Sequence, residues 1–207
     1  MSADRPSSAR QHRTVKWTSR KKMNSLRQLA TDVDEVILTL PSGRVARIES
    51  WLIRFPSANP DRLPLGMLKK SYTVKPLVEI NGASMFGELA IVSCLEKDGW
   101  TACWVDTFHG RKFWHGMPHA THPFEPPAKV KALYNRIADR KGGPSGCFDI
   151  VASKGDRIIW LEYKGPKDTA NRNELCWIEA ALGAGVAESD LFFVGSDRRP
   201  EAVERTI

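Results

Sequence analysis

Apolar and polar residues change rhythm several times along the chain. Alternation over residues 34–40 and 44–53, with Pro41-Ser42-Gly43 between them, predicts two strands joined by a turn. Residues 54–70 are rich in Pro, Asn, Gly and Ser and read as a loop. A helical period then predicts a helix over 86–98, with Ser84 as its N-cap and Gly99 as its stop. Ile91, Val92 and Leu95 form its apolar stripe, and Glu88 falls on that same stripe. Residues 100–108 read as a strand with Asp106 near its end. The stretch 109–127 is irregular, 129–141 reads as a short amphipathic helix, and Gly142-Gly143-Pro144-Ser145-Gly146 is a flexible lead-in.

The segment CFDIVASKGDRIIWLEYKGP, residues 147–166, holds two apolar runs around Gly155-Asp156. A type II′ turn takes glycine first, so the pair predicts a hairpin. If Lys154 faces Arg157, Asp149 lies opposite Glu162, and Lys164 follows two residues on. All three side chains then leave one face of the sheet. Next comes a helix capped by Thr169 or Asn171 and running to about Gly183, with Asn171 and Glu174 spaced as a capping box. Leu175, Ile178 and Leu182 give that helix an apolar face, and residues 191–194 form a last short strand. After residue 84 the order is helix, strand, insertion, strand, strand, helix, strand. That order predicts an α/β fold with helices covering a mixed sheet.

The chain divides accordingly into a basic tail over 1–30, expected to be disordered, and a β-rich appendage over 31–83. A core over 84–195 follows, with an insertion at 109–145, and then a tail over 196–207. Hydrophobic residues make up 42% and charged residues 27%, which fits a globular domain and leaves no apolar run of the roughly 20 residues a bilayer requires. The polar, basic start carries no export signal, so a cytoplasmic location without a membrane partner is expected. Cys94, Cys103, Cys147 and Cys176 stand singly, which argues against a zinc ribbon or a dithiol redox site. The net charge of +7 is uneven. Residues 1–30 hold eight bases against one acid, and the remaining 177 residues hold 23 of each. A tail of this kind, with Lys16, Arg20, Lys21 and Lys22, suits a polyanion held by counterion release. A solubilising leader is the other reading.

Asp149 opposite Glu162 is an unfavourable pairing unless a positive charge offsets it. Lys164 supplies one charge and a divalent cation would supply two. Carboxylate ligands with room for water and phosphate suit Mg²⁺ or Mn²⁺. Such an ion would activate water and neutralise phosphate oxygens, with Lys164 orienting or deprotonating the water, or holding the phosphate. The alternative is a plain salt-bridge ladder on an exposed face. A carboxylate on a core-facing stripe is costly unless paired, so Glu88 would bind a second ion or the attacking water. Its alternative is a solvent-facing position in the first turn. His115, His119 and His122 could ligate a metal on a helix, but Gly116, Pro118 and Pro123 argue for a loop. Trp104, Phe108, Phe113 and Trp114 could stack on unpaired bases, or simply pack.

Three stretches resemble the VRR-NUC (virus-type replication-repair nuclease) family of the PD-(D/E)XK superfamily. They are Gly146-Cys147-Phe148-Asp149-Ile150, Glu162-Tyr163-Lys164-Gly165-Pro166-Lys167-Asp168, and Glu174-Leu175-Cys176-Trp177-Ile178. In the family these read G-x-P-D-L, E-[VI]-K-G-P-x-D and Q-x-x-W-L. The likeness spans about residues 84–195, whereas 1–75 match no family we can name. Phe148 stands where the family has proline, and Glu174 where it has glutamine. The resemblance implies a restriction-endonuclease-like αβββαβ core and Mg²⁺-dependent hydrolysis of phosphodiesters. The expected substrate is DNA, often branched, flapped or single-stranded, as in DNA repair. It implies catalytic roles for Asp149, Glu162 and Lys164, with Glu88 as the helix glutamate and Glu174 and Asp106 as helpers. Lys167 would join the tail in binding nucleic acid. An RNA endonuclease, or a binding protein that keeps the fold without the chemistry, are the alternatives. A homodimer is compatible with cutting two strands, though no interface is legible.

Overall fold

Two strands joined at Gly155-Asp156 sit in the middle of the protein. In the computed structural model, which describes residues 23–56, 77–107, 112–117, 123–165 and 168–196, β7 (Ile150–Lys154) pairs antiparallel with β8 (Arg157–Lys164). Lys154 faces Arg157, which is the expected register. Gly155 has φ +56° and Asp156 has no positive φ, as a glycine-first turn requires.

The hairpin belongs to a mixed sheet of seven strands in the order β1-β2-β9-β8-β7-β5-β6. Here β1 is Ala30–Thr39, β2 Val45–Ile53, β5 Thr101–Asp106, β6 Lys112–Trp114 and β9 Leu191–Gly195. β8 and β9 run parallel, with helix α4 (Arg172–Gly183) as the crossover between them. Helix α3 (Ala128–Lys141) and α4 cover one face, where Val130, Tyr134, Ile137, Trp177 and Ile178 pack on Val151, Trp160 and Phe193. Helices α1 (Asn24–Leu29) and α2 (Gly87–Lys97) belong to the other face, where Leu26, Ile91 and Leu95 meet Ile150, Ile159, Leu161 and Phe192. The coarse α/β class with helices flanking a mixed sheet is as the sequence suggests. No helix among the described residues is long and apolar enough to cross a membrane.

Several local expectations need correction. Ser84 does not cap α2; it lies in β4 (Ala83–Phe86), and Phe86 occupies the cap position without a side-chain bond. β4 pairs with β3 (Leu77–Ile80) around Asn81 and Gly82, whose φ values are +51° and +77°. Asn-Gly suits the type I′ turn, and the chain uses Ser84 in that hairpin. The irregular stretch after β5 contains β6, which extends the sheet through Trp104–Trp114 and Asp106–Lys112 pairs. The basic N-terminal segment folds from Asn24 onward: Leu26 is fully buried, and Ser25 donates through both N and Oγ to the Asp98 carboxylate at 2.8 Å. The strands expected to form an appendage are continuous with the sheet, because β2 pairs parallel with β9 from Glu49–Phe192 to Leu52–Gly195. On α4 the buried face is Trp177, Ile178, Ala180 and Ala181; Leu175 and Leu182 lie at its margins, half-buried.

Candidate active site

An open cavity of about 340 Å³ lies at the end of the hairpin strands opposite the turn, lined by Glu88, Asp149, Glu162, Tyr163, Lys164 and Glu174 among others. The hairpin contributes its two carboxylates through an interlocked exchange. Asp149 N donates to Glu162 Oε2 at 3.0 Å, and Tyr163 N donates to Asp149 Oδ2 at 3.1 Å. Each carboxylate thus accepts a main-chain N–H on the opposite strand, just past the last regular pair, Ile150–Leu161. The backbone of each strand thereby orients the carboxylate of the other.

Glu162 and Lys164 share the parity of Trp160, which faces α3 and α4, so they point toward α4. There Lys164 Nζ lies 3.0 Å from Glu162 Oε1 and donates to Glu174 Oε1 at 2.7 Å. Glu174 does two jobs with one group. It holds the lysine, and it closes the α4 capping box by accepting from Asn171 N at 3.2 Å and Asn171 Nδ2 at 2.6 Å. Asn171 Oδ1 accepts in turn from the N–H groups of Asn173 and Glu174. Glu88 reaches the same cavity from the first turn of α2, on the opposite side of the sheet.

Burial decides the electrostatics. Glu88, Glu162, Lys164 and Glu174 are each no more than 6% exposed. Desolvation pushes the Glu162 carboxyl well above its ordinary 4.5, the Asp149 charge pushes it further, and Lys164 pulls it partly back. Burial alone would lower Lys164, but Glu162 and Glu174 outweigh it and hold the ammonium charged. Cys147 behind the site is raised too, first by burial and then by Glu162 and Asp149, so it is an inert thiol.

Among the described residues no three His, Cys, Asp or Glu side chains form a ready cage for a metal ion. A pair of carboxylates beside an open, water-accessible cavity is nonetheless the donor set that Mg²⁺ or Mn²⁺ takes, with water and phosphate completing the shell. A cation between Asp149 and Glu162 would also offset the repulsion that raises Glu162. The donors present therefore fit such an ion.

The cavity brings together Glu88, Asp149, Glu162, Lys164 and Glu174, five of the expected residues. Asp106 is buried at the end of β5 and is not among the lining residues. His115 pairs with Glu96 and stacks on Phe124, while His119 and His122 lie outside the described residues. Lys16, Arg20, Lys21, Lys22, Lys167 and Phe108 also lie outside them. Trp104, Phe113 and Trp114 are buried and pack rather than present open faces. Sequence reasoning passed over Tyr163, Asp168 and Thr169 as lining residues. Asp168 had a local signal, since a carboxylate three residues on can reach back to a main-chain N–H: it accepts from Gly165 N at 3.0 Å. Searches of family models, curated proteins and solved structures found no match to this chain.

Proposed function

We propose that the chain is a divalent-metal-dependent nuclease hydrolysing DNA phosphodiesters, built on a restriction-endonuclease-like core of α2, β5, β7, β8, α4 and β9. The observation that carries this reading is the opposed pair Asp149 and Glu162, with Lys164 beside it, in a cavity that Glu88 also lines. The element order and the Asp149…Glu162-x-Lys164 spacing support it, through the resemblance to the VRR-NUC family.

Asp149 and Glu162 would hold Mg²⁺ or Mn²⁺, which when bound supplies an activated water and charge for the phosphate oxygens. Lys164 directs two of its three N–H donors to Glu162 and Glu174. The third is left to hold a phosphate oxygen as negative charge builds in the displacement. Held charged by two carboxylates, the ammonium suits phosphate binding better than proton abstraction. Glu88 approaches from α2 and is placed to orient the attacking water or to hold a second ion.

One observation favours a second reading, a nucleic-acid-binding protein without chemistry. The lysine is already neutralised by a buried glutamate at a position where the resembling family carries glutamine. A panel of flaps, junctions, duplexes, single strands and RNAs, each with Mg²⁺, Mn²⁺ or EDTA, separates the readings. Cleavage of DNA that EDTA abolishes is expected. Lys164→Ala should cost roughly 10²–10³-fold in rate, and binding should be retained. Binding of every substrate without cutting would establish the second reading, and faster cutting of RNA would change the substrate class.

A further inference from the structure

We propose that Gly87 and Tyr163 form a positioning contact that sets the Glu88 helix against the Asp149–Glu162 pair. The inference rests on the metal-dependent reading above. Gly87 opens α2 and immediately precedes Glu88. Its φ is not positive, so backbone conformation does not call for glycine there. Space does call for it. A Cβ at Gly87 would overlap Tyr163 Cε1 and Cζ and lie 2.7 Å from its hydroxyl oxygen.

Tyr163 sits between Glu162 and Lys164 but points to the other side of the sheet, because side chains alternate along β8. Its main-chain N–H holds Asp149 Oδ2 at 3.1 Å. One residue therefore touches both halves of the site: the backbone of Tyr163 orients Asp149, and its ring seats the first turn of α2. The position carries a branched aliphatic residue in the resembling family, and such a side chain is too short to replace the ring. The close approach of ring to helix thus matches the paired choice of tyrosine at 163 and glycine at 87.

Gly87→Ala forces the ring off its seat and should weaken Mn²⁺ uptake, followed by electron paramagnetic resonance, by about 10–100-fold, the range for removal of ligand-orienting groups. Gly87→Ala combined with Tyr163→Val removes the overlap along with the seat, and should recover only part of that affinity. A plain folding defect would not be repaired by also deleting the half-buried ring of Tyr163. Hydrogen exchange at residues 86–90 of the metal-free protein gives an independent readout. It should speed up in Tyr163→Val alone, even if Gly87→Ala proves insoluble. Unchanged exchange in Tyr163→Val, or Gly87→Ala binding Mn²⁺ like the wild type, overturns the proposed positioning. Absence of Mn²⁺ uptake by the wild type overturns instead the reading on which it rests.

Discussion

Glu162 is the residue whose environment is most at odds with its charge. Its folded-state pKa is raised above 4.5 by burial and by Asp149. The folded state therefore binds this proton more tightly than the unfolded chain does. The stability so gained is complete below the unfolded value and is lost as pH rises through the folded one. Without divalent ions, the melting temperature should fall across that window, from the ordinary carboxylate range upward. Glu162→Gln should remove this fall, and Mg²⁺ should flatten it in the wild type. Thermal melts of both proteins in chelator, across pH, check the sign. A melting temperature that instead climbs with pH through that window, equally in both proteins, would show that the carboxylate is not strained.

Helix α4 and the β7–β8 hairpin show how much of the site was legible. The hairpin register was readable because Gly155-Asp156 dictates a two-residue turn, and the turn fixes every pair beyond it. The α4 start was readable because Asn171 and Glu174 stand at capping spacing. Glu174's second bond, to Lys164, was not, since nothing local tells a cap from a cap that also holds a lysine. Tyr163 was missed for a related reason: its partner Gly87 is far along the chain, and a close approach leaves no periodic trace. Ser84 misled because it satisfies a cap pattern, while the stronger Asn81-Gly82 signal claims it for a strand. Asn171→Ala should destabilise the protein by about 1 kcal/mol through removal of the cap. It should also lower cleavage by freeing Glu174, which denaturant melts and a rate assay would report separately. Melting unchanged by the substitution would show that the box contributes nothing.

The seven-stranded sheet as a whole joins segments that the sequence keeps apart. β2 lies beside β9, about 140 residues later, and parallel pairing at that separation has no local signature. That is why β1 and β2 read as part of an appendage over 31–83. The body of the protein is close to neutral, and the excess of positive charge lies near the N-terminus. Because Met23 and Leu26 are buried, the deletion is confined to 1–22, which holds seven bases and one acid. Deleting it should weaken DNA binding and flatten the salt dependence, by roughly 0.9 in log–log slope for each phosphate that the tail neutralises. An unaltered slope would show that the tail does not hold phosphate.

Two carboxylates locked face to face by main-chain bonds, in a cavity open to water, are the centre of this account. Calorimetric titration of Mn²⁺ into the folded wild type, and into Asp149→Asn and Glu162→Gln proteins of matched stability, addresses it most directly. Uptake by the wild type that either substitution abolishes is the predicted result. Uptake that survives both substitutions, or none in the wild type, would contradict it.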